Sequence, residues 1–149
     1  MSIDEKVTKD LVKTLENGKD GFEKASQKLV DSNESELATR FAGYARDRAR
    51  MSGELTALAH AYGDPVDEDS TTAGAVHRGW MAVKDALSGH DAKGVLNASL
   101  QGEDHAVAEY EKAITEDLSP GLREIVSRQM ADITKVRDEV RTLQAAHSK

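Results

Sequence analysis

The stretch SLQGEDHAVAEYEKA, residues 99–113, decides which fold the sequence predicts. Apolar side chains in and around it recur every three or four residues, which is the spacing of one face of an α-helix. The members of that face are Leu96, Leu100, Val107, Tyr110 and Ile114. Glu103 falls on the same face, where an apolar residue is expected. A buried carboxylate needs a partner, because an unpaired charge is strongly unfavourable away from water.

The composition favours a single all-α domain spanning residues 1–149. The chain has only 2 prolines and 4% aromatic residues, and it is rich in residues that enter helices at little cost. The absence of cysteine excludes disulfides, thiolate nucleophiles and cysteine-ligated metals. A formal net charge of -7 argues against a nucleic-acid partner. No apolar window reaches the roughly 18 residues of a membrane span, so we expect a cytoplasmic protein with no membrane partner.

The periodicity of apolar residues predicts five helices. Four are long: about residues 3–30, a helix that follows Asn33, a helix that ends near residue 116, and a helix that begins at Ser119 and Pro120. Ser2 and Asn33 each precede an acid by three residues, which is the spacing of a capping box at a helix N-terminus. Two glycines at positions 18 and 21 also allow a kink or break in the first helix.

The fifth predicted helix is short and covers about residues 72–87. If it carries the chain back along the bundle, it lies in the crossover between the second and third long helices, and those two helices run parallel. The sequence therefore predicts a ferritin-like long four-helix bundle with one additional short helix in that crossover.

Each long helix interrupts its apolar face once near its middle, at Gly18, Arg48, Glu103 and Gln129. We expect these positions to form one buried polar layer, completed by Tyr44 and Tyr110. The absent side chain at Gly18 leaves room for Arg48, and Arg48 pairs with Glu103 because buried charges are tolerated when paired and hydrogen-bonded. In one interpretation, the layer sets the register of the helices and has no other role.

In a second interpretation, the layer is a metal or substrate site, since bundle cores build di-iron centres from glutamates and Glu-x-x-His pairs. The sequence contains no Glu-x-x-His motif, and Arg48 would place a fixed positive charge at the metal position. We therefore predict no metal ligands and no cofactor. A weak iron or manganese site that uses Glu103 and neighbouring carboxylates is the alternative.

The short predicted helix carries His77, Arg78 and Trp80 close together. An exposed cluster of this kind could bind a protein partner. Alternatively, Trp80 packs the short helix onto the bundle, and the other two side chains lie on its outer face. The sequence has no phosphate loop, nucleophile elbow or catalytic triad motif.

Six stretches carry a family resemblance: NGKDGFEKA (17–25), YARDRARMSGEL (44–55), GDP (63–65), HRGW (77–80), GEDHAVAEYEKA (102–113) and RQMADITKVRDEVRTL (128–143). Together they resemble a bacterial family of uncharacterised ferritin-like four-helix-bundle proteins, a domain of unknown function. The resemblance implies the bundle and no established activity. Relatives commonly have Glu-Arg-Gly-Glu-Asp at residues 100–104 and often a histidine near Arg137, so this chain has fewer candidate metal ligands.

We therefore expect a non-enzymatic, metal-free bundle that acts through its surface or as a homo-oligomer, with a stress-related role. No residue pattern specifies a protein partner. The alternative is a metal-binding ferritin-like protein or oxidase. The two hypotheses differ over Arg48, because a salt bridge to Glu103 favours the first and a liganded Glu103 favours the second.

Overall fold

The computed structural model describes residues 2–61 and 92–147. These residues form four helices and no strand: α1 (Ile3–Asp31), α2 (Ser35–Ala61), α3 (Ala92–Ile114) and α4 (Pro120–His147). Over these residues, the prediction of an all-α fold with four long helices is confirmed. The predicted short helix, with His77, Arg78 and Trp80, lies outside the described residues. None of the described helices is long and apolar enough to cross a membrane.

Helix α1 is continuous through its two central glycines. It begins after Ser2, whose Oγ accepts a hydrogen bond from Glu5 N at 3.1 Å, in line with the predicted cap. Gly18 and Gly21 are both buried within the helix. The break that these glycines allow is therefore not present, because packing against neighbouring helices outweighs the low helix propensity of glycine.

The predicted role of Asn33 as the N-cap of α2 is wrong. Asn33 has a φ of 63°, its N donates to Val30 O at 3.1 Å, and Glu34 N donates to Leu29 O at 2.8 Å. These two bonds form a Schellman motif, in which a residue in the left-handed conformation ends a helix. Asparagine tolerates that conformation, so Asn33 ends α1, and α2 begins at Ser35.

The helices pack as a bundle in which α1 contacts α2 and α3, and α3 also contacts α4. Helices α2 and α4 approach each other less closely. Long polar side chains bridge them, including Tyr44 to Glu139 at 2.7 Å and Arg128 to Glu54 at 2.9 Å. The order around the bundle is therefore α1, α2, α4, α3.

Two hydrophobic clusters divide the core along the bundle axis. The first contains Phe22, Leu29, Leu37, Phe41, Leu96 and Val140 among its members. The second contains Leu11, Leu15, Met51, Leu55, Tyr110, Leu122 and Ile133 among its members. The N-terminal halves of α2 and α3 both belong to the first cluster, so these two helices run parallel. As a consequence, Ala61 and Ala92 lie at opposite ends of the bundle.

Candidate functional site

An ion pair between Arg48 and Glu103 lies at the middle of the bundle, between the two hydrophobic clusters. The two side chains are 1% and 0% exposed. Arg48 Nη1 donates to Glu103 Oε1 at 2.7 Å, and Nη2 donates to Oε2, so the pair is bidentate. Burial by itself lowers the pKa of Arg48, but the charge of Glu103 and its hydrogen bonds outweigh burial and raise that pKa. The structure therefore holds Arg48 in its charged form.

Helix α1 supplies the space and an aromatic face for the guanidinium. A Cβ atom at Gly18 would lie 3.2 Å from Arg48 Nη1, which is closer than ordinary van der Waals contact. The Cζ atom of Arg48 lies 5.3 Å from the centroid of the Phe22 ring, within the range of a cation–π interaction. Arg48 is therefore enclosed by α1 on one side and paired with α3 on the other.

A second polar group joins α2, α3 and α4 within the second hydrophobic cluster. Tyr110 Oη donates to Gln129 Oε1 at 2.8 Å. Gln129 Nε2 donates to Met51 O at 3.2 Å and to Glu54 Oε1 at 2.9 Å. Burial raises the pKa of Tyr110, so its hydroxyl stays protonated and acts as a donor. Every polar atom of the buried Gln129 amide group thus has a partner.

A third polar contact lies at the α2–α4 seam. Tyr44 Oη donates to Glu139 Oε2 at 2.7 Å. Burial and the neighbouring Glu139 both raise the pKa of Tyr44. The ring of Tyr44 packs against Phe22, with 5.3 Å between ring centroids. The ring of Tyr44 therefore contacts Phe22, the ring that packs against the Arg48 guanidinium, while the Tyr44 hydroxyl binds Glu139.

The structure divides the predicted single layer into separate groups. It brings Gly18, Arg48 and Glu103 together. Tyr110 and Gln129 form their own group, because Tyr110 follows Glu103 by seven residues, or about 10 Å along the helix axis. At that separation, the predicted polar side chains cannot form one hydrogen-bonded group.

Sequence reasoning missed Glu54 and Glu139, which bind the predicted residues Gln129 and Tyr44. It also missed Arg128, which binds Glu54. Arg128 donates to both carboxylate oxygens of Glu54, at 3.2 and 2.9 Å. The hydrogen bonds from Arg128 hold the pKa of Glu54 below its ordinary value. Glu54 and Arg128 are direct sequence neighbours of Leu55 and Gln129, so they flank the predicted faces. Their place in the sequence beside those faces is the only signal that could have identified Glu54 and Arg128.

Metal ligation is not supported by the described part of the chain. There, no three histidine, aspartate or glutamate side chains are grouped so that they could hold a metal ion. Both oxygens of Glu103 accept hydrogen bonds from Arg48. The ion pair can fix the axial alignment of α2 with α3. Because Arg48 binds both oxygens of Glu103, that carboxylate is not free to bind a metal ion.

Glu109 is a partly buried carboxyl group on α3, beside a cavity of about 90 Å³ that is also lined by Asp10 of α1 and by Lys112. Burial raises the pKa of Glu109, the charge of Lys112 opposes that shift, and the charge of Asp10 adds to it. A raised folded-state pKa means that stability is lost as the pH rises from the unfolded-state pKa through the folded-state pKa. Glu109→Gln should therefore increase the free energy of unfolding at neutral pH.

The measurement is urea unfolding of wild type and Glu109→Gln between about pH 7 and pH 4, a range that spans the ordinary glutamate pKa. The advantage of the variant should shrink as the pH falls, because the wild-type carboxyl becomes protonated. Glu111→Gln, an exposed substitution on the same helix, is the control and should show no such trend. Equal stability of Glu109→Gln and wild type at pH 7 would contradict the prediction.

Comparison with known proteins identifies the family of this chain. No curated protein and no solved structure matches the sequence. The family described as Domain of unknown function (DUF2383) matches residues 5–116, which include nearly all of α1 and the whole of α2 and α3. That match covers more than half of the 149 residues and includes Gly18, Arg48 and Glu103. The chain therefore belongs to the family described as Domain of unknown function (DUF2383).

Proposed function

We propose that this chain is a ferritin-like bundle of the bacterial cytoplasm that has no enzymatic activity, binds no metal, and acts through its surface or as a homo-oligomer. The proposal includes the additional short helix, residues 72–87, in the crossover between α2 and α3. Support for this architecture comes from the parallel α2 and α3, which require a connection along the bundle, as in ferritin-like folds. The stress-related role rests on analogy with the fold class alone.

The observation that carries the proposal is the bidentate pair of Arg48 and Glu103. Metal centres of helical bundles use inward-pointing carboxylates near the middle of the core. Here the inward-pointing carboxylate is already neutralised, because the guanidinium engages both of its oxygens. A guanidinium cannot release its proton in a protein, so a divalent cation beside Glu103 would face a permanent positive charge.

Metal content tests the proposal. Wild type and Glu103→Gln would be expressed with added iron and manganese, purified without chelator, and assayed for metal per chain. Glu103→Gln keeps the size of the side chain and removes its charge. We expect far less than one metal ion per chain in both proteins. Near-stoichiometric metal in the wild type that is lost in Glu103→Gln, but retained in Glu111→Gln, would overturn the proposal.

The alternative function is a metal-binding ferritin-like protein or oxidase that uses Glu103 with iron or manganese. It requires Arg48 to swing away from Glu103 and neighbouring carboxylates such as Glu54 to approach. A bound metal stabilises the folded state in proportion to its concentration relative to Kd. An increase in Tm on addition of manganese, abolished by Glu103→Gln, would therefore support the alternative.

A further inference from the structure

A small cavity lies beside the first turns of α1 and the last turns of α3. Its volume is about 90 Å³. The lining residues of α1 lie between Ile3 and Leu11, and those of α3 begin at Glu109. Neither Arg48 nor Glu103 is among the described lining residues. The cavity is therefore separate from the ion pair at the bundle centre.

The inner wall of the cavity is apolar. Val7, Leu11 and Ala113 line it, and all three are buried. Ile3 also lines the cavity but is exposed, so apolar surface extends from the buried wall toward solvent. An aliphatic chain that contacts this surface is removed from water, which is favourable in proportion to the apolar area that is covered.

The charged residues of the lining differ in their exposure to solvent. Asp10, Glu109 and Glu116 are partly buried, whereas Lys6 and Lys112 are exposed. An exposed lysine keeps its ammonium group in water, and only its aliphatic stem covers protein surface. The charge that lies closest to the apolar wall is therefore negative, and it favours a cationic ligand over an anionic one.

The side chain of Glu109 has no partner within residues 2–61 and 92–147. It forms no hydrogen bond and no ion pair there, although Lys112 lies on the next turn of α3. Burial raises the pKa of Glu109 more than the charge of Lys112 lowers it. A partly buried carboxylate in this condition is stabilised by a cation that binds it directly, because the cation replaces the lost hydration and adds charge attraction.

These features together select a ligand with a cationic end and a short aliphatic chain. We propose that the cavity binds a small primary alkylammonium ion, with the ammonium group on Glu109 and the chain against Val7, Leu11 and Ala113. An ammonium group has three hydrogen-bond donors, and the charge of Asp10 adds to the negative potential at Glu109. Since an apolar cavity of about 150 Å³ holds benzene, this smaller one suits a chain of about three or four carbon atoms.

Titration with n-butylammonium tests the inference. The binding would be followed by NMR of the backbone amides at neutral pH. We expect saturable chemical-shift changes that are largest at residues 3–11 and 109–116. Glu109→Gln should weaken binding by about tenfold or more, because it removes a charge-assisted hydrogen bond. Glu111→Gln, an exposed substitution on the same helix, is the matched control and should bind as the wild type does.

A series of ligands tests the two parts of the site separately. Affinity should rise from methylammonium to n-propylammonium and n-butylammonium, by up to about fourfold per methylene group, if the chain contacts the apolar wall. n-Butanol lacks the charge and butyrate reverses it, so both should bind far more weakly than n-butylammonium. The inference would be overturned by the absence of saturable binding, by equal binding to Glu109→Gln and wild type, or by n-butanol or butyrate binding as tightly as n-butylammonium.

Discussion

Glu103→Ala is expected to lower the free energy of unfolding by about 3 to 5 kcal/mol, the range for removing one partner of a buried ion pair. The reason is the burial of Arg48, which is 1% exposed and would keep its charge without a carboxylate to neutralise it. Since domains of this kind are stable by only about 5 to 15 kcal/mol, the variant should lose a large fraction of its stability. Urea unfolding followed by circular dichroism measures the effect.

Two control variants test whether the loss of stability in Glu103→Ala comes from the unpaired buried charge of Arg48. Asp47→Ala removes one partner of an exposed pair whose side chains are 62% and 55% exposed, and it should cost less than about 1 kcal/mol. The double variant Arg48→Met/Glu103→Leu removes both charges and keeps apolar volume, so it should regain most of the stability lost in Glu103→Ala. A loss below about 1 kcal/mol in Glu103→Ala would show that the pair is not buried as described.

Gly18→Ala is expected to differ from Gly53→Ala by about 1 to 3 kcal/mol, the range for overpacking a core site. In an exposed helix position, replacing glycine with alanine stabilises by about 1 kcal/mol. A Cβ at Gly53 meets nothing within 4 Å, whereas a Cβ at Gly18 would lie 3.2 Å from Arg48 Nη1. Arg48 cannot move away without breaking its bidentate contact with Glu103. Gly53→Ala should therefore be more stable than wild type, and Gly18→Ala equally or less stable.

The two glycine variants would be compared by the same urea titration. In the background of Arg48→Met/Glu103→Leu, a flexible methionine replaces the fixed guanidinium. Gly18→Ala should then lose most of its disadvantage, because the rigid neighbour is gone. Equal stabilisation by Gly18→Ala and Gly53→Ala in the wild-type background would show that the guanidinium can shift at no cost.

The ion pair was predictable from sequence because a buried charged side chain requires a partner of opposite charge. Arg48 and Glu103 occupy apolar faces of long helices, and neither can be buried alone. Gly18 was predictable as the space beside them, since it interrupts the face of the first helix at a matching distance from the turn. The inference about Gly18 requires only helical periodicity and a hairpin between α1 and α2. The pairing of Arg48 with Glu103 also requires α2 and α3 to run parallel, which the sequence analysis assumed.

The positions of Tyr44 and Gln129 were not predictable in the same way. Each has two helical neighbours, and a long polar side chain can reach partners one turn above or below. Tyr44 binds Glu139, and Gln129 binds Tyr110 and Glu54. Which partner is chosen depends on the axial alignment of α4 with α2, and local sequence contains no information about that alignment.

The sequence by itself determined the all-α class, the four long helices, and the need for Arg48 and Glu103 to meet. Those properties follow from local backbone preference and from the high free energy of an unpaired buried charge. Only the tertiary structure decided that α2 and α3 run parallel, that Asn33 ends α1, and that the polar residues form separate groups. These outcomes depend on how helices align along their axes, which is set by packing between residues far apart in the chain.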